Sequence, residues 1–340
     1  MRILLVTQMW PSVDNPDLGS FLVPLTREIR ELGHEVEVVS ISRRGGGPQK
    51  YAGLVAGSVT AARRWKPDIV FAHFLFPAGA AGVAASLAAR VPLVVMAHGQ
   101  DVANIGEIRG VKQATAAVIG RATAVIANSR WLASQLAAKV PAAGPKTEIA
   151  NCGIDLDAFH PVDAGDARRE LGWDGDGPAF LCVGSLIERK NVISLAEAFA
   201  AIGHGRLAFV GDGPLRERLE GRDRVTVVGR IPQADVPRWA GAADVLCQPS
   251  LIEPFGQATL EGMAMERSVV ATTVGGPPEF VTAAAGVLVA PNDAAALTAA
   301  LEKAAELPSP NRAARVAAAR HDVKLEAAKM AAVLERAVQL

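Results

Sequence analysis

Short runs rich in β-branched and aliphatic residues recur along the chain, and each is followed by a longer stretch with helical spacing. In the first half these runs are RILLVTQ (2–8), EVEVVS (35–40), DIVFAHF (68–74), PLVVMAHG (92–99) and AVIANS (124–129). After the first of them, FLVPLTREIRELG reads as a helix closed by Gly33. Strands that are apolar on both faces and alternate with helices predict parallel sheets covered on both sides. The rhythm pauses between 151 and 178, where Gly, Asp and Pro dominate, and this segment reads as a connection holding one short helix. It resumes with AFLCVGS (179–185), RLAFVGDG (206–213), VTVVGR (225–230), VLCQPS (245–250), SVVATTVGG (268–276) and GVLVA (286–290). The expected fold is therefore α/β, with two doubly wound domains facing a cleft. Residues 1–160 form the first, residues 161–322 the second, and a C-terminal helix, 323–340, is free to pack back on the first.

Composition narrows the function. The 340 residues are 50% hydrophobic with a formal net charge of +0, so the chain can bury real cores and shows no basic balance of the kind that marks nucleic-acid binders. The three cysteines, Cys152, Cys182 and Cys247, form no CxxC pair, which argues against a disulfide framework or zinc site and fits a reducing compartment. No apolar stretch reaches the ~20 residues that span a bilayer. A cytoplasmic protein, or one at the inner face of a membrane, is expected.

In doubly wound sheets ligands bind beyond the carboxyl ends of strands, so the residues just after each strand carry the functional reading. Gly19 and Ser20 precede the first helix and would let a ligand approach its N–H groups; an ordinary βα loop is the plain alternative. His98, in AHGQD, could donate a hydrogen bond to a ligand or be structural. Arg189 and Lys190 stand just before a helix, where cations oppose the helix dipole unless a phosphate lies between. The alternative for them is a solvated charged loop. GDGP, with Gly211, resembles a nucleotide loop but lacks the GxGxxG spacing. The stretch EPFGQATLE sets Glu253 in a loop and Glu261 in the second turn of a helix starting near Gln257. Either this is a capped helix with a surface acid, or two carboxylates flank a phosphate-binding helix start and accept hydrogen bonds from sugar and ribose hydroxyls. No Walker A, GxSxG or HExxH motif occurs, and no DxD-like metal pair stands out.

These residues resemble a known family. EPFGQATLE matches the E-x7-E signature of the retaining, family 4 (group 1) glycosyltransferases of GT-B fold, which have two Rossmann-like domains. GSF, AHGQD, NCGID, VGSLIERKN, VGDGP and TTVGGPPEFV resemble further family segments in the same order. The resemblance implies that Glu253 contacts the transferred sugar and stabilises charge at its anomeric carbon, and that Glu261 binds the ribose. Lys190 would pair with the diphosphate, and His98 would bond the donor sugar through its backbone or its side chain. It further implies that the N–H groups of Phe255, Gly256, Thr259 and Leu260 face sugar and phosphates, and that Gly19 lies against phosphates and acceptor. Arg230 and Ile231 would meet the base through their backbone. Two positions depart from the pattern. Ser185 stands where the family has a phosphate-binding Arg, for which Arg189 is the nearest substitute, and Ser20 replaces a Gly.

The reaction implied is transfer of a sugar from a nucleotide-diphosphate-sugar with retained configuration, through an oxocarbenium-like front-face step. No metal or other cofactor is expected, because Lys190 and helix N–H groups would take that role. The acceptor would be a glycan, a lipid-linked saccharide or a small molecule bound by the N-terminal half. The basic loop 41–50 reads as solvated, with an anionic head group as its other partner and peripheral membrane association as the consequence. Alternatives are a non-catalytic nucleotide-sugar-binding protein, to which Ser185 gives weight, and a GT-B-like epimerase or phosphorylase. A dehydrogenase is disfavoured by the missing GxGxxG.

Overall fold

The computed structural model describes residues 1–340. The chain divides into two compact units, residues 1–153 with 323–340, and residues 154–322. The division falls after Gly153, earlier than residue 160, because Ile154 and Phe159 are buried in the core of the second unit.

The first unit holds β1 (Arg2–Thr7), β2 (Glu35–Ser40), β3 (Ile69–His73), β4 (Leu93–Ala97), β5 (Ala124–Ala127) and β6 (Thr147–Ile149), in the order β2-β1-β3-β4-β5-β6. All pairings are parallel. Period-two alternation divides β1 between two cores. Leu4 and Val6 enter the cluster on one face, Ile3 and Leu5 the cluster on the other. All four are fully buried, and each is worth about 1.5–3 kcal/mol relative to exposure. β6 escaped the sequence reading because TEI has no apolar run: it is a three-residue edge strand, largely exposed.

The second unit repeats the plan with β7 (Ala179–Val183), β8 (Arg206–Val210), β9 (Val225–Gly229), β10 (Val245–Gln248), β11 (Ser268–Thr272) and β12 (Gly286–Val289). Their order is β12-β11-β10-β7-β8-β9. The chain runs outward from β7 in one direction and then returns to build from β10 in the other. β7 and β10 therefore flank a topological switch point, as β1 and β3 do in the first unit. No helix is long and apolar enough to cross a membrane.

The closing helix, Val323–Gln339, belongs to the first unit. Its buried Val323, Ala327, Met330 and Leu334 recur at helical spacing and join the cluster containing Leu22, Leu25 and Ile29. Its start is fixed by a buried acid. Glu326 is 0% exposed, accepts the Asn151 N–H at 2.9 Å and pairs with Lys329 at 2.6 Å. The adjacent Gly153 has φ +71°, and a Cβ there would stand 2.4 Å from Val323 Cα, so only glycine fits. Glu326→Ala leaves the Asn151 N–H without its acceptor, and denaturant unfolding of the variant is expected to show a loss of about 2 kcal/mol. Glu326→Gln, which keeps an acceptor, should lose less.

Candidate functional site

In the first unit, polar side chains collect where β1, β3 and β4 end. Gly19 has φ +69°, and a Cβ there would meet the Met9 carbonyl oxygen at 2.6 Å. The turn thus demands glycine for its own geometry, and its carbonyl accepts the Leu22 N–H (3.0 Å) at the start of the first helix. Phe21 then brings its ring to 5.5 Å from that of His98, centroid to centroid. His98 follows β4 directly. Its ring also lies 4.4 Å from Phe74, and its Nε2 is 3.0 Å from Nδ1 of His73, the last residue of β3. Burial pulls the His98 imidazole down to about 3, and burial with the neighbouring His98 pulls His73 well below its usual value. Both rings are neutral at physiological pH.

The backbone here hangs on Asp101. Its buried carboxylate accepts N–H groups from Leu75 (2.9 Å), His98 (3.1 Å), Gly99 (2.8 Å) and Val102 (3.1 Å). Burial raises the Asp101 carboxyl, while those four N–H bonds pull it down. AHGQD was visible in the sequence, but the task of its Asp, ordering the loops after both β3 and β4, was not.

In the second unit the candidate residues gather around the switch point between β7 and β10. Lys190 follows β7 and Glu253 follows β10. Their Nζ and Oε2 lie 2.6 Å apart, with side chains only 16% and 10% exposed. Ser250 Oγ donates to the same oxygen at 3.0 Å. Burial alone would push the Glu253 carboxyl up. The Lys190 ammonium, with help from Arg189 and the Ser250 hydroxyl, outweighs it and holds the carboxyl below its usual value. The main chain of Glu253 is pinned to the VGG loop: its N–H donates to the Val274 carbonyl (3.0 Å) and its carbonyl accepts the Gly276 N–H (2.9 Å). Gly275 sits so close that a Cβ would meet the Glu253 carbonyl oxygen at 1.9 Å.

Glu261 lies in the helix Gln257–Ala264 and is 7% exposed. Burial pushes its carboxyl up to about 8, against a hydrogen bond from Gln233 Nε2 (3.3 Å) and the charge of Lys190. The two acids of the motif are thus unlike at neutral pH. Glu253 is ionised and paired, and Glu261 is mostly protonated. Between them, Thr259 is fully buried and its Oγ1 has no partner, leaving a hydroxyl to offer at the first helical turn.

The structure places the other expected positions as follows. The Leu260 N–H already donates to the Gly256 carbonyl (3.1 Å), closing the first intrahelical bond, so it is not among the unpaired amides. Gly211 is glycine for packing. Its Cβ would meet the Gly184 carbonyl oxygen at 1.9 Å, and its N–H is taken by the Gly229 carbonyl at 2.9 Å. Arg189 donates to the Ile252 carbonyl at 3.1 Å, which ties it to the Glu253 loop. Phe255 is buried against Phe280. Arg230 is exposed and Ile231 half-buried after β9, and Ser185 is exposed after β7. No three His, Cys, Asp or Glu side chains converge as a metal set. All three cysteines are buried and free.

Comparison with known proteins agrees with this plan. Residues 177–306 match the family model described as glycosyl transferases group 1, and residues 18–158 match that of glycosyltransferase family 4. A glycosyltransferase assigned to teichuronic acid biosynthesis, TuaC of Bacillus subtilis, is 26% identical over 349 residues, covering 89% of each chain. A D-inositol 3-phosphate glycosyltransferase of Catenulispora acidiphila is 29% identical over 300 residues, covering 78% of this chain and 71% of the relative. HepE of Anabaena, solved in complex with UDP and glucose, superposes with a TM-score of 0.78 at 22% identity, covering 98% of this chain and 99% of that one. That likeness establishes the fold as GT-B. The protein is a transferase, and it belongs to the group 1, family 4 glycosyltransferases.

Two outcomes are expected from the electrostatics. The folded carboxyl of Glu261 holds its proton more tightly than the unfolded one, so its contribution to stability is complete below the unfolded value of 4.5 and is lost as pH rises toward about 8. Glu261→Gln is therefore expected to melt relatively higher than wild type at pH 8 than at pH 5. Asp101→Ala strands several buried N–H groups, and chemical denaturation is expected to show a loss of about 3 kcal/mol or more.

Proposed function

We propose that this protein moves a sugar from a nucleotide-diphosphate-sugar to a glycan, lipid-linked saccharide or small-molecule acceptor, with retention of configuration and without a metal ion. The observation that carries the reading is the buried Lys190–Glu253 pair, set beside a helix start whose other flank is the protonated Glu261. A diphosphate arriving at the helix start draws the Lys190 ammonium toward itself, because two phosphates outcompete one carboxylate for it. Lys190 then stabilises the departing nucleoside diphosphate. Glu253, released from its cation but still held by Ser250 and by its own main chain, faces the charge that develops at the anomeric carbon. Glu261 binds the ribose diol, and its proton makes it a donor as well as an acceptor. Within the first unit, His98 is the residue that the family resemblance assigns to bonding a sugar. A HepE structure contains UDP-glucose, which makes a UDP-hexose the first donor to test.

The test is donor turnover by wild type and Glu253→Gln in buffer containing a chelator. Glu253→Gln is expected to lower kcat about 100-fold or more, with UDP affinity changed little. Wild-type turnover by the variant would contradict the role of Glu253. Loss of wild-type activity on chelation would contradict the metal-free reaction. An inverted anomeric centre in the product, read by NMR coupling, would contradict retention.

A further inference from the structure

We propose that His73 is a positioning residue that fixes His98 as its Nδ1–H tautomer, so that the His98 ring presents one N–H donor to a sugar hydroxyl. The inference rests on the reading above that His98 bonds the sugar. It begins from the 3.0 Å contact between His73 Nδ1 and His98 Nε2. Two imidazoles sharing one hydrogen bond must divide the roles, one nitrogen donating and the other accepting. The choice is set by the far nitrogen of His73. His73 is 0% exposed, and its Nε2 is buried with no partner.

If His98 Nε2–H donated, the His73 proton would reside on that buried Nε2. An N–H would then be orphaned in the interior, at a cost of about 1–3 kcal/mol. If His73 Nδ1–H donates instead, the buried nitrogen is a bare lone pair, and orphaned acceptors are better tolerated than orphaned donors. The second arrangement puts the His98 proton on Nδ1. Neutrality of both rings, which burial enforces, excludes a doubly protonated escape.

The main chain of His98 has no donor left to offer a ligand. Its main-chain N–H is held by Asp101 at 3.1 Å, and its carbonyl accepts from Asn128 Nδ2 at 3.3 Å. Phe21 and Phe74 hold the ring in place. Ring Nδ1–H is the one strong donor remaining. A hydrophobic residue at position 73 would fill the site without an orphaned nitrogen, so a structural role alone gives no reason for histidine there.

The experiment is long-range 1H–15N NMR of the full-length protein carrying 15N-labelled histidine, at neutral pH, with His98 assigned through His98→Asn. The expected result is a protonated Nδ1 and an unprotonated Nε2 on His98. The opposite tautomer would overturn the proposal whether or not the protein transfers sugar. The second arm compares His73→Asn, whose amide reproduces a donor near the Nδ1 position, with His73→Phe, which has none. His73→Phe is expected to lower kcat about tenfold or more, the value of one lost hydrogen bond, with UDP affinity unchanged and melting temperature near that of His73→Asn. His73→Asn should recover most of kcat. Equal kcat for the two variants at equal stability would also overturn it.

Discussion

A parallel strand buried on both faces can carry working polar side chains only where it ends. Every interior residue of β1, β3, β4, β7, β8, β10 and β11 is committed to one of the apolar clusters, and a polar group among them would have to recover the cost of leaving water. The candidate residues accordingly stand at or just beyond strand ends: His73 at the end of β3, His98 after β4, Lys190 after β7, Glu253 after β10. Strand order then selects among the ends. At β1/β3 and β7/β10 the connections diverge and leave room between adjacent loops.

In the second unit this placement forces a charge problem, and the solution defines the site. Two carboxylates and an ammonium lie in surroundings that penalise ions. Glu253 stays ionised because Lys190 is 2.6 Å away. Glu261 has no such partner and keeps its proton. The positive charge of Lys190 is thus cancelled by Glu253, while Glu261 adds no negative charge near the helix start. The repulsion expected between two acids and a diphosphate is reduced before Arg189 is considered. A buried pair broken on one side leaves an uncompensated charge, so whatever displaces Glu253 from Lys190 must itself be anionic.

Much of this was legible in the sequence, because periodicity and strand-end motifs are local. Eleven strands follow from apolar runs, and β6 does not, because an exposed edge strand has no hydrophobic pattern to read. Lys190, Glu253 and Glu261 were singled out from E-x7-E and the cations before a helix, and the structure brings the first two into contact. Their unequal protonation could not be read, since it depends on burial and on Gln233, distant in sequence. Gly211 was read as part of a nucleotide-like loop, and what the sequence did not show is its close backbone approach to Gly184, matched by that of Gly275 to Glu253. His73 was hidden inside a strand run, where one polar residue reads as noise until its partner across the sheet is known.

The central claim is that Lys190 and the start of the helix at Gln257 form a diphosphate site that works without a metal. The most direct measurement is calorimetric titration of wild type and Lys190→Ala with UDP, GDP and ADP in the presence of a chelator. The expected result is selective binding of one nucleotide by wild type, weakened at least about tenfold in Lys190→Ala, as loss of a charge-assisted contact requires. Equal affinity of the two proteins for that nucleotide, or binding only when a divalent cation is restored, would contradict the account.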